Sequence, residues 1–425
     1  MTSTSCSAAA EQVLAQCLAG RPPATLPPAL LEDACAPALF SILVEGLADR
    51  FEPALCDAYV RLFSQAIAQS AGGVDAAALA ARYQRVRRVR PVAIDPARVI
   101  VLSRVTLGAD VAVTSVLLDA AKRRFPHARI VFAGPRKNFD LFAGDFRLEH
   151  AEVAYLRGTL GRRLAAWSDL RALCRGEDSL VLDPDSRLTQ LGLLPICAED
   201  RYHLFESRAY TAPLPTSDPN PSHDPNRSRD RQGAVAGPDA ESPTAQSLSE
   251  LAAAWARETL QVDDASPYLA LATPAETKPG IAISLGVGEN PAKRLPDPFE
   301  EKLLAMLAAT GLPLTIDKGA GGEEAARVVE ACRRAGIEPT FWEGSFAGFA
   351  AIVAASRLYV GYDSAGQHVA AAAGVPLISI FAGFPTPRMF ERWRPTTKTA
   401  HVIRVDSPDV DSTLAQVRDA LARVE

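Results

Sequence analysis

The sequence predicts an α/β protein with two doubly wound parallel sheets facing a cleft, and an extra helical region at its N-terminal end. Short apolar runs rich in β-branched residues alternate with amphipathic segments over residues 96–210 and again over 278–390. Such alternation is typical of parallel strands buried between helices. A polar stretch, 211–250, separates the two halves.

Length and charge limit the classes of function. The 425 residues are enough for two domains with additions. Lys and Arg number 45 against 50 Asp and Glu, a net charge of −5 that argues against a general nucleic-acid-binding protein. The seven cysteines lack metal-site spacing, which predicts free thiols in a reducing cytosol. With no signal-peptide pattern and no long apolar run, we expect a cytoplasmic protein, with peripheral contact at the inner face of a membrane left open.

The first region, predicted over 1–92, is helical. Apolar residues recur at three- and four-residue steps in ALLEDACAPALFSILVEGLADRF and ALCDAYVRLFSQAIAQ. The region shows no catalytic constellation, and its last helix carries a cluster of arginines: Arg82, Arg85, Arg87, Arg88 and Arg90. We interpret them as a solvated helix face, with contact to phosphate or anionic lipid headgroups as the alternative.

The first α/β domain is predicted over 96–265, with a disordered insertion at 211–250 whose composition cannot offset its ordering entropy. Asp110 follows strand ARVIVLSRV and a glycine, near the start of a helix. There an ionised carboxylate could take a proton from an acceptor hydroxyl, or could merely cap the helix. More weakly, the sequence assigns the acceptor side of the cleft to four residues: Arg104, Asp183, Asp185 and Arg187.

The second α/β domain is predicted over 266–405, followed by a terminal helix over 406–425. Its first motif is SLGVGENPAKRLP, a strand and the loop after it. Gly286 and Gly288 allow the backbone to approach a ligand closely, and the Lys293 ammonium suits a diphosphate. The alternative is a polar surface loop.

Its second motif is LYVGYDSAGQHVAAAAGVPLISIFAG, residues 358–383, which reads as strand, loop, helix and strand. Asp363, Ser364 and His368 follow the first of these strands. Open parallel sheets bind ligands at that end, where helix N-termini present free N–H groups. The alternatives are that Asp363 or Ser364 caps the helix and that His368 is structural.

These motifs resemble glycosyltransferase family 9, the ADP-heptose:lipopolysaccharide heptosyltransferase-like enzymes. The family pattern Asp-(Ser/Thr)-Gly-x-x-His-x-x-Ala-Ala resembles 363–372, with the glycine one place later, at Gly366. The family's Ser-x-(Leu/Met)-Gly-Asp-(Val/Ile) resembles the segment ending at Asp110, with Ala109 inserted. Its Lys-Arg-Trp-Pro resembles 293–296, with leucine for tryptophan.

The resemblance implies a GT-B fold of two Rossmann-like domains and an inverting, metal-independent transfer. The donor would be a nucleotide-diphosphate sugar, first of all an ADP-sugar such as ADP-heptose, and the acceptor a glycan, glycolipid or protein, as in lipopolysaccharide biosynthesis. It implies Asp110 as the base and no cofactor. The donor would be bound by seven residues: Gly286, Gly288, Lys293, Asp363, Ser364, Gly366 and His368.

Two alternatives remain open. The inserted Ala109 and the displaced Gly366 are compatible with a scaffold or nucleotide-sugar-binding protein that has lost catalysis. A nucleotide-sugar epimerase of the same fold is the second. The sequence does not predict the oligomeric state.

Overall fold

The computed structural model describes residues 3–176, 178–212, 246–273, 280–288, 290–319 and 321–424. The strands in these ranges are β1 (Arg98–Leu102), β2 (Arg129–Gly134), β3 (Leu148–Glu152), β4 (Ser179–Asp183), β5 (Tyr202–Leu204), β6 (Ile281–Ser284), β7 (Leu314–Asp317), β8 (Thr340–Trp342), β9 (Leu358–Tyr362), β10 (Leu377–Phe381) and β11 (Ala400–Arg404). The α-helices are α1 (Ser3–Leu18), α2 (Ala36–Ala38), α3 (Glu45–Ala48), α4 (Pro53–Ala71), α5 (Ala76–Val86), α6 (Leu107–Ala109), α7 (Ser115–Arg124), α8 (Arg136–Phe139), α9 (Leu160–Leu164), α10 (Ala166–Leu173), α11 (Leu248–Leu260), α12 (Phe299–Ala308), α13 (Gly322–Ala335), α14 (Phe346–Ala355), α15 (Ala365–Ala372), α16 (Pro387–Trp393) and α17 (Val410–Val424). A π-helical segment, Leu39–Val44, joins α2 to α3, and another, Asp110–Thr114, joins α6 to α7.

The strands form two parallel sheets, which confirms the predicted fold class. The first has the order β3-β2-β1-β4-β5 and the second β11-β10-β9-β6-β7-β8. In each sheet the first and fourth strands in sequence are neighbours, so the winding direction reverses between β1 and β4 and between β6 and β9. Ligands of doubly wound sheets bind outside the carboxyl ends of the strands at such points.

The sequence did not predict two of the edge strands, β5 and β11. β5 is three residues long, and β11 buries only one of its five side chains fully, Ile403. β5 is buried but too short to show a period and contains a histidine, and β11 is mostly half-buried, so neither gives a clear apolar run. The second sheet therefore extends one strand beyond the βαβ unit that ends at β10.

The N-terminal helices cover one face of the first sheet. Leu43 and Phe63 lie in the same buried cluster as Ile100 and Val181, which belong to β1 and β4. The opposite face is covered by α7 and α11, which pack against each other. The helical region predicted over 1–92 thus shares a continuous core with the first sheet.

The arginine cluster at the end of α5 connects this helical layer to the sheet domain. Its contacts are Arg82 to the Gly192 carbonyl at 2.9 Å, Arg85 to Glu199 at 2.7 Å, Arg87 to Glu206 at 2.9 Å, and Arg90 to the Tyr202 carbonyl at 3.1 Å. Arg82 is only 5% exposed. The interpretation as a solvated face is therefore wrong for Arg82, and the other three bond within the protein.

One disulfide corrects the prediction that all cysteines are free thiols. Cys6 of α1 is bonded to Cys35, which lies just before α2. The bond connects two segments that also share buried apolar contacts. The remaining five cysteines are free, and four of them are buried.

The polar insertion predicted over 211–250 lies mostly outside the described residues, which omit 213–245. Its predicted end is wrong, because α11 already begins at Leu248, with Ser247 and Glu250 in a reciprocal capping box. In the described part of the chain, no helix is both long and apolar enough to cross a membrane.

Candidate active site

Lys293 and Asp363, predicted from separate motifs, meet at the switch point of the second sheet. The Lys293 ammonium lies 2.7 Å from Asp363 Oδ2 and 3.1 Å from the Asp363 carbonyl oxygen. Lys293 follows β6 and is half-buried, whereas Asp363 follows β9 and is 5% exposed. The fold thus places a half-accessible cation at the carboxyl ends of neighbouring strands.

Gln367 holds the Asp363 carboxylate from its other side. Its amide nitrogen donates to Asp363 Oδ1, and its amide oxygen accepts a bond from the Ser379 hydroxyl at 2.5 Å. Gln367 is fully buried. Sequence reasoning missed this residue, although its position four residues after Asp363, on the first turns of a helix, was a usable signal.

The N-terminus of α15 faces this pair without a side-chain cap. Ser364 occupies the N-cap position, but its hydroxyl makes no capping bond and lies 3.4 Å from the Tyr359 hydroxyl. The capping alternative is thus wrong for Ser364. The first N–H groups of a helix lack intrahelical partners and attract anions.

The three predicted glycines have different surroundings. Gly288 is exposed with φ +58°, and an added Cβ would meet no atom within 4 Å. Gly286 is half-buried beside Glu324, whose carboxylate accepts the Val287 N–H at 3.1 Å. Gly366 is buried against Tyr359, where a Cβ would clash with the ring hydroxyl. Its geometry is that of a packing position, and its contact with donor stays a prediction.

His368 lies where the two sheet domains touch. Its ring centroid is 5.8 Å from that of Trp393, and a Cβ added at Gly108 of α6 would lie 3.0 Å from His368 Cδ2. The close approach of α6 to α15 therefore requires glycine at 108. Burial lowers the pKa of His368 to about 4 despite the nearby Asp363 charge, so the ring is neutral at physiological pH.

Asp110 is fully buried beneath this contact and accepts four hydrogen bonds. The donors are Arg104 N at 2.7 Å and Thr114 Oγ1 at 2.6 Å on Oδ1, and Ser103 Oγ at 2.6 Å and Asn138 Nδ2 at 2.6 Å on Oδ2. Burial raises its pKa, and these bonds offset only part of the effect. Each carboxylate oxygen has two donors, so Asp110 holds the end of β1 to the π-helical turn.

The carboxylates predicted on the acceptor side are also enclosed. Asp183 accepts bonds from Ser186 N and from the Thr189 and Tyr202 hydroxyls, the first two at 2.6 and 2.5 Å. Asp185 pairs with Arg208 at 3.0 Å, and that pair is 0–2% exposed. Neither carboxylate reaches the cleft as the structure stands.

The two predicted arginines do reach it. The Arg104 guanidinium donates to Ser207 Oγ at 2.9 Å and lies 5.9 Å from the Trp393 ring centroid, so it bridges the two domains. Arg187 is half-buried, and its guanidinium bonds to no described residue. Its pKa is raised because nearby anionic groups, Asp49 above all, outweigh the effect of burial.

Asp49 is a second residue that sequence reasoning missed. It follows α3 and is half-buried, and its carboxylate bonds to no described residue. The neighbouring Phe51 ring lies 6.3 Å from that of Trp393. Burial raises the Asp49 pKa, while the charges of Arg187, Arg104 and Lys293 oppose that rise. No motif marked it, because its surroundings come from three distant parts of the chain.

Among the described residues, no three His, Cys, Asp or Glu side chains are grouped so as to hold a metal ion. The charged side chains described above include the cations Lys293, Arg104 and Arg187 and the carboxylates Asp363 and Asp49, beside the neutral His368.

The sequence of the second half matches a known family. The model of glycosyltransferase family 9 (heptosyltransferase) matches residues 229–416. This match places the sequence similarity to the family in the second half of the chain. The predicted resemblance to this family and the predicted enzyme class, a heptosyltransferase-like glycosyltransferase acting on a nucleotide-sugar, are thereby confirmed. A search of curated proteins found no match.

Solved structures share the fold. A family 9 glycosyl transferase from Veillonella parvula is 14% identical, with 78% of this chain and 90% of that chain covered and a TM-score of 0.52. The heptosyltransferase WaaC of E. coli with ADP is 15% identical, with 77% and 100% covered and a TM-score of 0.51. At this identity the likeness concerns the fold, and it is the predicted GT-B fold.

Proposed function

We propose that this glycosyltransferase moves a sugar, heptose first among the candidates, from an ADP-sugar to a glycan, glycolipid or protein acceptor, with inversion and without a metal. The observation that carries the proposal is the Lys293–Asp363 pair beside the uncapped N-terminus of α15. A half-accessible ammonium group and free helix N–H groups suit a diphosphate. The similar E. coli WaaC has been solved with ADP.

In this proposal the leaving diphosphate gains negative charge as the glycosidic bond breaks. Lys293 and the α15 N–H groups stabilise that charge from fixed positions, which is the usual source of large rate effects. Gln367 keeps Asp363 oriented, so that Asp363 in turn positions the lysine ammonium. The space where a side chain at Gly288 would lie is open, so the donor can approach the backbone there.

We assign proton removal to Asp49 and a positioning role to Asp110. The resemblance implies Asp110 as the base, but a general base needs access to the proton that it abstracts. Asp110 is fully enclosed by four donors, whereas Asp49 is half-buried and has no bonded partner among the described residues. The acceptor proton passes to Asp49, the acceptor oxygen bonds to the anomeric carbon, and the nucleoside diphosphate leaves with the bonding electrons.

The enclosure of Asp110, together with the inserted Ala109, also favours a second candidate. In that candidate the protein binds a nucleotide-sugar and transfers nothing. The two candidates share the donor site and differ only in turnover.

The test starts with calorimetric titration of ADP, GDP and UDP, followed by incubation with radiolabelled ADP-heptose and envelope glycolipid, polysaccharide and protein fractions. Proton NMR of the product then gives the anomeric configuration. Preferred binding of ADP and transfer of label with inversion would support the proposal. Binding of ADP without transfer to any fraction would support the binding protein, and no nucleotide binding would overturn both.

A further inference from the structure

A large cationic cavity lies on the first domain, away from the cleft. It has a volume of about 790 Å³ and lies between α5, α10 and the segments that precede β4 and β5. The cleft residues follow the carboxyl end of β4, whereas this cavity opens at its amino end. At about 3.3 Å per residue, the five-residue strand separates the two by roughly 15 Å.

Five arginines line the cavity: Arg82, Arg85, Arg171, Arg175 and Arg201. Only two carboxylates line it in the described chain, Asp75 and Glu199. Asp75 caps α5 by accepting the Ala78 N–H at 2.6 Å, and Glu199 pairs with Arg85 at 2.7 Å. The other four arginines have no carboxylate partner among the described residues. This excess of positive charge stands out in a chain of net charge −5.

Arg82 is the innermost of these arginines. It is 5% exposed, and its guanidinium stacks on the Tyr202 ring at 4.6 Å and donates from Nη1 to the Gly192 carbonyl. Among the described residues, its Nε and Nη2 atoms have no hydrogen-bond partner. Buried donors without acceptors are uncommon, because each costs free energy relative to a satisfied one.

The cavity wall also offers an apolar surface. Trp167 lines it, and its indole N–H is fixed by the Pro195 carbonyl at 2.8 Å. Leu79 and Ile196 add aliphatic contacts. A volume of several hundred Å³ with a few polar anchors is typical of small-molecule sites.

We propose that this cavity binds a phosphate-bearing small molecule. Arg171, Arg175 and Arg201 contact the phosphate oxygens, Arg82 supplies the buried cationic wall, and the body of the ligand packs on Trp167. The site does not depend on the proposed function, because it shares no residue with the donor site.

The test is calorimetric titration with pyrophosphate in the Lys293→Ala background, which removes the cation of the donor site. Pyrophosphate should bind, and its affinity should fall about tenfold or more in the double variant Arg171→Ala/Arg175→Ala. Both arginines are exposed, so the variant should keep its fold. The matched control is Arg418→Ala/Arg423→Ala, which removes two exposed arginines of α17 and should leave binding unchanged.

Arg82→Met tests the buried wall and should weaken binding at least as much, with circular dichroism as the check of folding. No pyrophosphate binding in the Lys293→Ala background would overturn the proposal. Equal weakening in the α17 control would also overturn it, because the effect would then be one of net charge. Binding only to phosphatidylglycerol vesicles, without pyrophosphate binding, would assign the surface to a membrane and contradict a small-molecule site.

Discussion

Asp363 after β9 and Asp110 after β1 lie beside the switch points of their sheets, yet their partners differ. Asp363 accepts bonds from a half-exposed lysine and a buried amide. Asp110 accepts four bonds from neutral donors within its own domain, and Asp183 accepts three such bonds. A carboxylate saturated by neutral donors holds loops together, whereas one paired with an accessible cation can position that cation for an anionic ligand. We therefore call the surroundings of Asp110 the architectural region, and those of Asp363, where we propose that the donor binds, the ligand-facing region.

The largest expected effect concerns Asp49, the half-buried carboxylate to which we assign proton removal. Asp49→Asn should reduce sugar transfer by roughly 10²- to 10⁴-fold, because the amide cannot accept the acceptor proton. Donor affinity, measured by titration with ADP, should persist. Asp33→Asn, an exposed carboxylate in the same helical region, is the control. Near-normal transfer by Asp49→Asn would return the role of base to Asp110.

Lys293 tests the ligand-facing region. Lys293→Ala removes a charge-assisted bond of roughly 1.5–3 kcal/mol to the donor phosphate, so ADP affinity should weaken about 10- to 100-fold. Circular dichroism should not change, because the side chain is half-buried at the end of a loop. Lys302→Ala, on the exposed face of α12, is the matched control. Unaltered ADP affinity in Lys293→Ala would show that the lysine does not contact the donor.

Asp110→Asn tests the architectural region. The amide nitrogen of Asn would face donors that now bond to a carboxylate oxygen, so the free energy of unfolding should fall by roughly 1–3 kcal/mol. Urea unfolding followed by circular dichroism measures the change. A helix-capping role alone would tolerate Asn with little loss. Unchanged stability with transfer reduced by 10² or more would contradict the positioning role and make Asp110 the base.

The neutral His368 predicts a pH dependence of stability. Its folded pKa is about 4 against an ordinary 6.5, so the unfolded chain binds more protons between these values. Stability should therefore fall as the pH drops from 7 through this window, by up to about 2 kcal/mol at pH 5. His368→Gln should reduce this slope in urea unfolding between pH 5 and 7, with the rest left to buried His203, whose pKa is also about 4, while exposed His127→Gln should not change it. An unchanged slope in His368→Gln would show that other groups cause the pH dependence of stability.

The sequence allows the proximity of Lys293 to Asp363 to be predicted but not that of Asp49 to Arg187, for a physical reason. Asp363 directly follows β9, His368 lies in the helix that comes next, and Lys293 lies in the segment after β6, so the sheet itself brings them together. The edge strand β11 lacks a run of buried apolar residues, so its sequence does not indicate a strand. Gln367 matters through its bond to Asp363, and no sequence motif marks such a bond. Asp49 lies near enough to Arg187 and Lys293 for their charges to affect its pKa only because the N-terminal helices cover one face of the first sheet. Proximity between residues so far apart in the chain produces no local periodicity in the sequence from which it could be predicted.

The smallest expected effect concerns the polar stretch between the two regions. Its composition offers little apolar surface to bury, so replacing 214–244 by a short Gly-Ser linker should leave the melting temperature and ADP affinity nearly unchanged. The matched deletion, 214–247, also removes Ser247, which caps α11, and the Gln246 carbonyl that accepts the Arg392 guanidinium at 2.9 Å. The longer deletion should therefore lower stability by about 1 kcal/mol. The two deletions differ by three residues only, so their difference in stability measures the effect of those three residues. A large fall in melting temperature in the shorter deletion would show that 214–244 contributes to the fold. Equal stability of both would show instead that the cap of α11 is dispensable.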